Sequence, residues 1–131
     1  MKEEMIEIWD WETGEPTGEA VSRVIAHKKG IAHEGVHLWI VRNINNIIEV
    51  LFQLRAPHKN SYPNVLDITV AGHVPFKLHT KKVQKEAVEE IGIEPEDDEL
   101  IDLGLFRYEE FEGEWFHREF QRVYLHYNNQ P

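Results

Sequence analysis

The chain has no cysteine in its 131 residues. That absence removes disulfides, thiolate metal sites and cysteine nucleophiles, and it suits a reducing cytoplasm. Basic residues are scarce as well: 14 Lys and Arg face 24 Asp and Glu, a formal charge of −10. Without a basic excess, few counterions would be displaced from a polymer backbone, so nucleic acid is excluded as the main partner. A small phosphorylated ligand is not excluded, because a bound metal can screen its charge. No apolar run approaches the ~20 residues of a membrane helix. The opening Met1-Lys2-Glu3-Glu4-Met5-Ile6-Glu7 is too acidic for a signal or transit peptide. The expectation is a cytoplasmic protein with no membrane partner. Internal repeats, linkers and low-complexity segments are also missing, and the length fits one domain over 1–131.

What remains is patterned. Apolar residues make up 41% of the chain, adequate for a core. Ile6 to Trp11 alternates like an edge strand, Thr13 to Gly18 carries turn chemistry, and Val21 to Ala26 reads as extended. Val36 to Val41 and Ile47 to Leu54 read as a hairpin around the polar turn Asn43 to Asn46. After a loop over 55–65 with two prolines, Leu66 to Ala71 is another strand stopped by Gly72. Thr80 is a plausible N-cap for a helix that Gly92 ends. Leu100 to Tyr108 and Trp115 to Tyr127 form two last strands around the acidic turn Glu109 to Glu114. One long helix among about six strands gives an α+β domain built on a mixed sheet.

The helix carries the chemistry. Glu86, Glu89 and Glu90 lie within five residues. At 100° per residue they share an arc about 100° wide, beside an apolar arc of Val83, Ala87, Val88 and Ile91. Acids at i, i+3 and i+4 repel one another unless a cation sits among them. A hard divalent ion bound to carboxylates and phosphate oxygens suits that face. The competing reading is a solvated face neutralised by Lys82 and Lys85, each four residues before a glutamate.

Context favours the metal. Gly72-His73-Val74-Pro75, followed by Lys85-Glu86-Ala87-Val88-Glu89-Glu90-Ile91-Gly92-Ile93, resembles the Nudix box, Gly-x5-Glu-x7-Arg-Glu-U-x-Glu-Glu-x-Gly-U with U a bulky aliphatic residue. Leu51-Phe52-Gln53-Leu54-Arg55 and Pro63 to His73 resemble the upstream segments of one branch, the Nudix hydrolases similar to isopentenyl-diphosphate isomerase. Asp10 to Trp39 resembles that branch too, so the likeness spans nearly the whole chain. It implies an α/β/α Nudix sandwich whose loop–helix–loop holds Mg²⁺ or Mn²⁺ against a diphosphate. The reaction it implies is hydrolysis of a nucleoside diphosphate derivative. By motif, Glu89 and Glu90 match the principal metal pair, and Glu86 the additional ligand or water-activating group. Gly72, His73, Lys77 and Arg55 are the candidate substrate contacts, with a solvated lysine and an Arg55 salt bridge as rival roles.

The box is altered. The interval from Gly72 to Glu86 is one residue short, no acid falls between them, and Leu78 stands where the first box glutamate is expected. Lys85 replaces the box arginine and loses its bidentate fork. These departures keep a second reading open, a Nudix-fold binding or structural protein with weak or no hydrolysis. The chain also closes at Asn128-Asn129-Gln130-Pro131, short of the further strand and C-terminal helix usual in the branch. Either the protein is a shortened member of the branch, or a partner subunit covers the sheet in their place, which would favour a homodimer.

There are eight histidines. Isopentenyl-diphosphate isomerases surround a metal with histidines and glutamates; His27 and His73 sit in comparable contexts, His33 is off by about one position, and Glu119 resembles one late-strand acid, with His117 in place of the other. His27, His33 and Glu119 are therefore candidate second-site ligands. Isomerase activity is a remote alternative, because Ala71 stands where those enzymes carry their catalytic cysteine. His58, His79, His117 and His126 are expected at the surface. Trp9, Trp39, Phe52 and Trp115 are expected in the core, with Tyr62 and Phe76 as possible base-stacking rings.

Overall fold

A computed structural model describes residues 4–55 and 65–128, so His58 and Tyr62 lie outside the described residues. Strand β1 (Met5–Asp10) pairs with β2 (Glu15–Ser22) in a hairpin, and helix α1 (Arg23–Lys29) follows. β3 (His33–Ile44) and β4 (Ile47–Leu51) meet at Asn45 and Asn46, both at positive φ, which a two-residue hairpin turn of this hand requires. The short strands β5 (Gln53–Leu54) and β6 (Leu66–Asp67) pair with each other. β7 (Val70–His73) leads through a loop into helix α2 (Lys82–Ile91), and β8 (Ile101–Glu112) and β9 (Trp115–Tyr127) complete the chain.

β3 organises the mixed sheet. It pairs antiparallel with β7 through Gly35 to Leu38 and with β4 through Ile40 to Ile44. Along its other edge it runs parallel to β9, which is antiparallel to β8. Alternation along β3 sends Val36, Leu38 and Ile40 to one face, where they join Val70, Val74, Val83 and Ala87 in the buried core beneath α2. The opposite side of β3 carries His33, Gly35 and His37. Tertiary packing thus seats α2 across the sheet with its acidic stripe at the β7 edge. Among the described residues, no helix is long and apolar enough to cross a membrane.

Several local expectations change. Arg23 to Lys29 is helical rather than extended: Ser22 accepts the Ile25 N–H at 3.2 Å, and Gly30 caps the other end at φ 71°. The expected strand over 66–71 is split, because Thr69 turns inward, accepts the Ile40 N–H at 3.0 Å and donates to the Leu51 carbonyl. Thr80 does not cap α2. Lys81 holds that position at φ 54° with no side-chain cap bond, and Lys77 is also left-handed at φ 74°. Each costs on the order of 1 kcal/mol, so the short loop is bent into place by its packing. Gly92 ends α2 at φ 72°, as expected. The acidic turn narrows to Gly113-Glu114, since Phe111 stacks on Phe116 and extends the ladder to Glu112. Phe52 is half-exposed against Trp39 rather than in the core. His126 is buried, its Nδ1–H donating to the Glu99 carbonyl at 3.2 Å.

Candidate active site

One cleft of about 770 Å³ opens between α2, β7, β5 and the start of α1. Glu86, Glu89 and Glu90 line one wall, and Arg55, Gly72 and His73 also line it, so the fold brings together six of the residues singled out from sequence. Lys77 is not among the lining residues. Its ammonium lies 5.8 Å from the centre of the Phe76 ring.

The carboxylates differ in state. Glu89 is exposed and held by Lys85 Nζ at 2.6 Å, the i,i+4 pair read from sequence. Lys82 does not pair with Glu86. It reaches Glu34 at 2.7 Å instead. Glu86 and Glu90 are half-buried and lie within hydrogen-bonding reach of each other. Burial pushes Glu90 from 4.5 up to about 7, with the Glu86 charge adding to the rise, while the Ala71 N–H and the Gln53 amide oppose it. Burial and the Glu89 charge also push Glu86 upward. Two half-buried acids within reach of each other, both pushed upward, form a site lacking positive charge. A divalent cation satisfies that need better than a proton, so this donor set fits Mg²⁺ or Mn²⁺.

Cationic groups ring the same cleft. Arg55, at the end of β5, bonds Asp67 Oδ2 at 2.9 Å. Arg23, in the first turn of α1, reaches Glu4 at 3.6 Å with both side chains exposed. Arg23 is not among the candidates the sequence offers, since Val21 to Ala26 reads as extended there. The available signal was Ser22 before it and Gly30 after it, a cap at each end of a short segment. Gln53 was likewise missed as a partner of Glu90.

The second-site candidates also converge. Parallel pairing sets His33 of β3 opposite Glu119 of β9, and antiparallel pairing sets Gly35 opposite His73 of β7. α1 delivers His27, whose ring lies 5.3 Å from that of His33 and 4.9 Å from that of His73. Gly35 is needed here, since a Cβ on it would stand 2.5 Å from Glu119 Oε1. Burial lowers His27 to about 4 and His73 to about 3, so both rings are neutral at neutral pH. Burial acts against the Glu119 charge, yet the neighbouring His33 ring holds its carboxyl down at about 2. His117 stands edge-on to His27 at 5.0 Å and is mostly buried rather than at the surface.

Comparison with known proteins agrees with this architecture. No family model matches the chain. An uncharacterized Nudix hydrolase of Clostridium acetobutylicum is 34% identical over 128 residues, covering 98% of this chain and 61% of that protein. Nudix hydrolase 3 of Arabidopsis thaliana is 33% identical over 116 residues, 86% of this chain and 15% of that one. The chain therefore spans about three-fifths of the first relative's length and a much smaller part of the second. Among solved structures, DR0079 from Deinococcus radiodurans superposes with a TM-score of 0.71 at 18% identity, over 98% of this chain and 74% of that one. The Ap4A hydrolase of C. elegans superposes at 0.51 and 18% identity, over 72% of this chain and 68% of that one. The chain belongs to the Nudix hydrolase family and has an α+β Nudix-like fold.

Proposed function

We propose that this protein is a metal-dependent hydrolase that cleaves the diphosphate linkage of a nucleoside diphosphate derivative. One observation carries the reading: the three-carboxylate wall of α2 and the guanidinium groups of Arg23 and Arg55 face one cleft. The acids suit a divalent cation and the arginines suit phosphate oxygens. Glu86, Glu89 and Glu90 hold the ion. Mg²⁺ or Mn²⁺ bound there supplies neutralisation of the charge that builds on the diphosphate during displacement. In the reaction, a water oxygen forms a bond to phosphorus and the bond to the bridging oxygen breaks. The proton of the water passes to a carboxylate on α2, with Glu86 best set for it beside β7. Arg55 and Arg23, both lining the cleft, hold the diphosphate, while Gly72 keeps the β7 backbone close to Glu86.

A second reading, a Nudix-fold protein that binds such a ligand but turns it over slowly, draws on the loop over 74–81. It contributes no carboxylate, and Glu89 is already paired with Lys85. Thermal shift with millimolar Mn²⁺ separates a working metal site from an inert one, since a ligand that binds the native state raises its stability. The hydrolase reading expects a higher melting temperature with Mn²⁺ for the parent and none for the double variant Glu89→Gln, Glu90→Gln. Absence of any shift in the parent contradicts it.

A further inference from the structure

We propose that strand β4 is the contact through which two copies of this chain associate, edge to edge about a two-fold axis. β4 closes one end of the sheet, and among the described residues only β3 pairs with it. All five of its residues, Ile47 to Leu51, are exposed. Sheet edges are usually protected by lysine, proline, a bulge or a covering loop, because their free N–H and C=O groups recruit other strands. β4 has no lysine or proline, and its ladder with β3 runs without a break from Ile40 opposite Leu51 to Ile44 opposite Ile47.

The strand reads alike from both ends. Ile47-Ile48-Glu49-Val50-Leu51 is apolar on each side of a central acid. Antiparallel pairing centred on Glu49 sets Ile47 of one copy opposite Leu51 of the other, and Ile48 opposite Val50, so every flanking pair is apolar. Glu49 meets its own copy on the axis, where two bare carboxylates would repel. Each is held by Arg42 Nε at 2.7 Å on the neighbouring β3, so the row Arg42–Glu49–Glu49–Arg42 across four strands is neutral.

Area and charge favour a second copy over another kind of partner. Ile47, Ile48, Val50 and Leu51, with Phe52 and Leu54 beyond them, are 41–65% exposed. Six such side chains present on the order of 400 Å² of apolar surface. A standard interface buries about 800 Å² per partner, somewhat more than half of it apolar. The chain as a whole carries −10, so two copies repel over most of their surface. β4 and the facing part of β3 over 40–44 contribute one acid and one base, already paired. A basic partner would gain nothing from this neutral edge, whereas two acidic copies can bring it together. The contact joins two edges, while the cover expected from sequence lies on a sheet face.

The test is the mass of the full chain in solution, by light scattering and sedimentation equilibrium at micromolar concentration, with two variants beside the parent. The parent is expected as a dimer. Ile48→Lys, which sets a charge against Val50 of the other copy, should give a monomer that circular dichroism shows to be folded. Glu49→Cys exploits the absence of native cysteine. Residues facing each other across an antiparallel pair have Cα atoms about 4.5–5.5 Å apart, within the range of a disulfide. Mild oxidation should therefore link Glu49→Cys to its copy. It should leave Leu103→Cys, similarly exposed on β8 at the opposite end of the sheet, unlinked. A monomeric parent, a dimer that survives Ile48→Lys, or crosslinking no faster at position 49 than at 103 would overturn the proposal. Species larger than a dimer would do so too, since a two-fold contact closes on itself.

Discussion

Gly72 on β7 leaves the space that the Glu86 carboxyl of α2 fills: a Cβ there would stand 2.3 Å from Glu86 Cδ and 2.4 Å from Oε2. The Gly72 φ is not positive, so the requirement is one of space rather than backbone freedom. Gly72→Ala must push Glu86 away from its partners. A misplacement near 1 Å in a reacting site costs on the order of 100-fold in rate. The expected outcome is a loss of that size in metal-dependent hydrolysis, with a melting temperature close to that of the parent. Unchanged steady-state kinetics in a folded variant would show that Glu86 can act from another position.

Glu90 sets a pH dependence of stability in the metal-free protein. The folded chain keeps its proton up to about 7, against 4.5 for the ordinary carboxyl. Between those values the folded state binds more protons than the unfolded one, so the contribution of this group to stability falls as pH rises. Glu90→Gln removes the burden. Because Glu90 is only half buried, solvent screening reduces the gain to on the order of 1 kcal/mol at pH 8. Melting curves without metal should place the variant above the parent at pH 8 and level with it at pH 4. A constant difference across that range would remove the assignment to Glu90.

Arg23 and Arg55 should act on binding more than on chemistry. Arg23→Ala is the cleaner test, because its exposed contact with Glu4 at 3.6 Å contributes little to folding. The expected effect is a rise in KM of about 10-fold, equivalent to ~1.4 kcal/mol of phosphate binding, with kcat nearly constant. Arg55→Lys should not restore the parent, since an ammonium cannot replace the guanidinium that holds Asp67 at 2.9 Å while facing the cleft. Steady-state kinetics with substrate varied distinguish these outcomes, and a fall in kcat alone would remove Arg23 from a binding role.

How far the site was legible follows from what set each part. Glu86, Glu89 and Glu90 are close through helical periodicity, a local property, and the sequence carried it in full. The meeting of His33 with Glu119 depends on parallel pairing between strands 86 positions apart, which no local pattern encodes. The family resemblance supplied those residues, while pairing register explains their contact. Val21 to Ala26 reads as extended from sequence, where Val24 and Ile25 are β-branched, yet the structure makes Arg23–Lys29 a seven-residue helix. Packing against β9 and caps at both ends decide in favour of the helix. Lys81, not Thr80, begins α2, because the shortened loop arrives in a left-handed turn that the side-chain cap does not reach. His126 was expected outside, yet the end of β9 carries it under the Asp97–Glu99 turn.

On the proposed function, the acidic wall of α2 turns over a diphosphate with the help of a hard metal ion. The most direct test is the release of nucleoside monophosphate or phosphate from a panel of nucleoside diphosphate derivatives. The assay is run with and without Mg²⁺ or Mn²⁺, for the parent and for folded Glu89→Gln and Glu90→Gln proteins. Product is expected from the parent only when metal is present, and none above background from either variant. Turnover by the variants at the parent's rate, or no turnover of any panel member by a parent that binds the metal, would contradict that function.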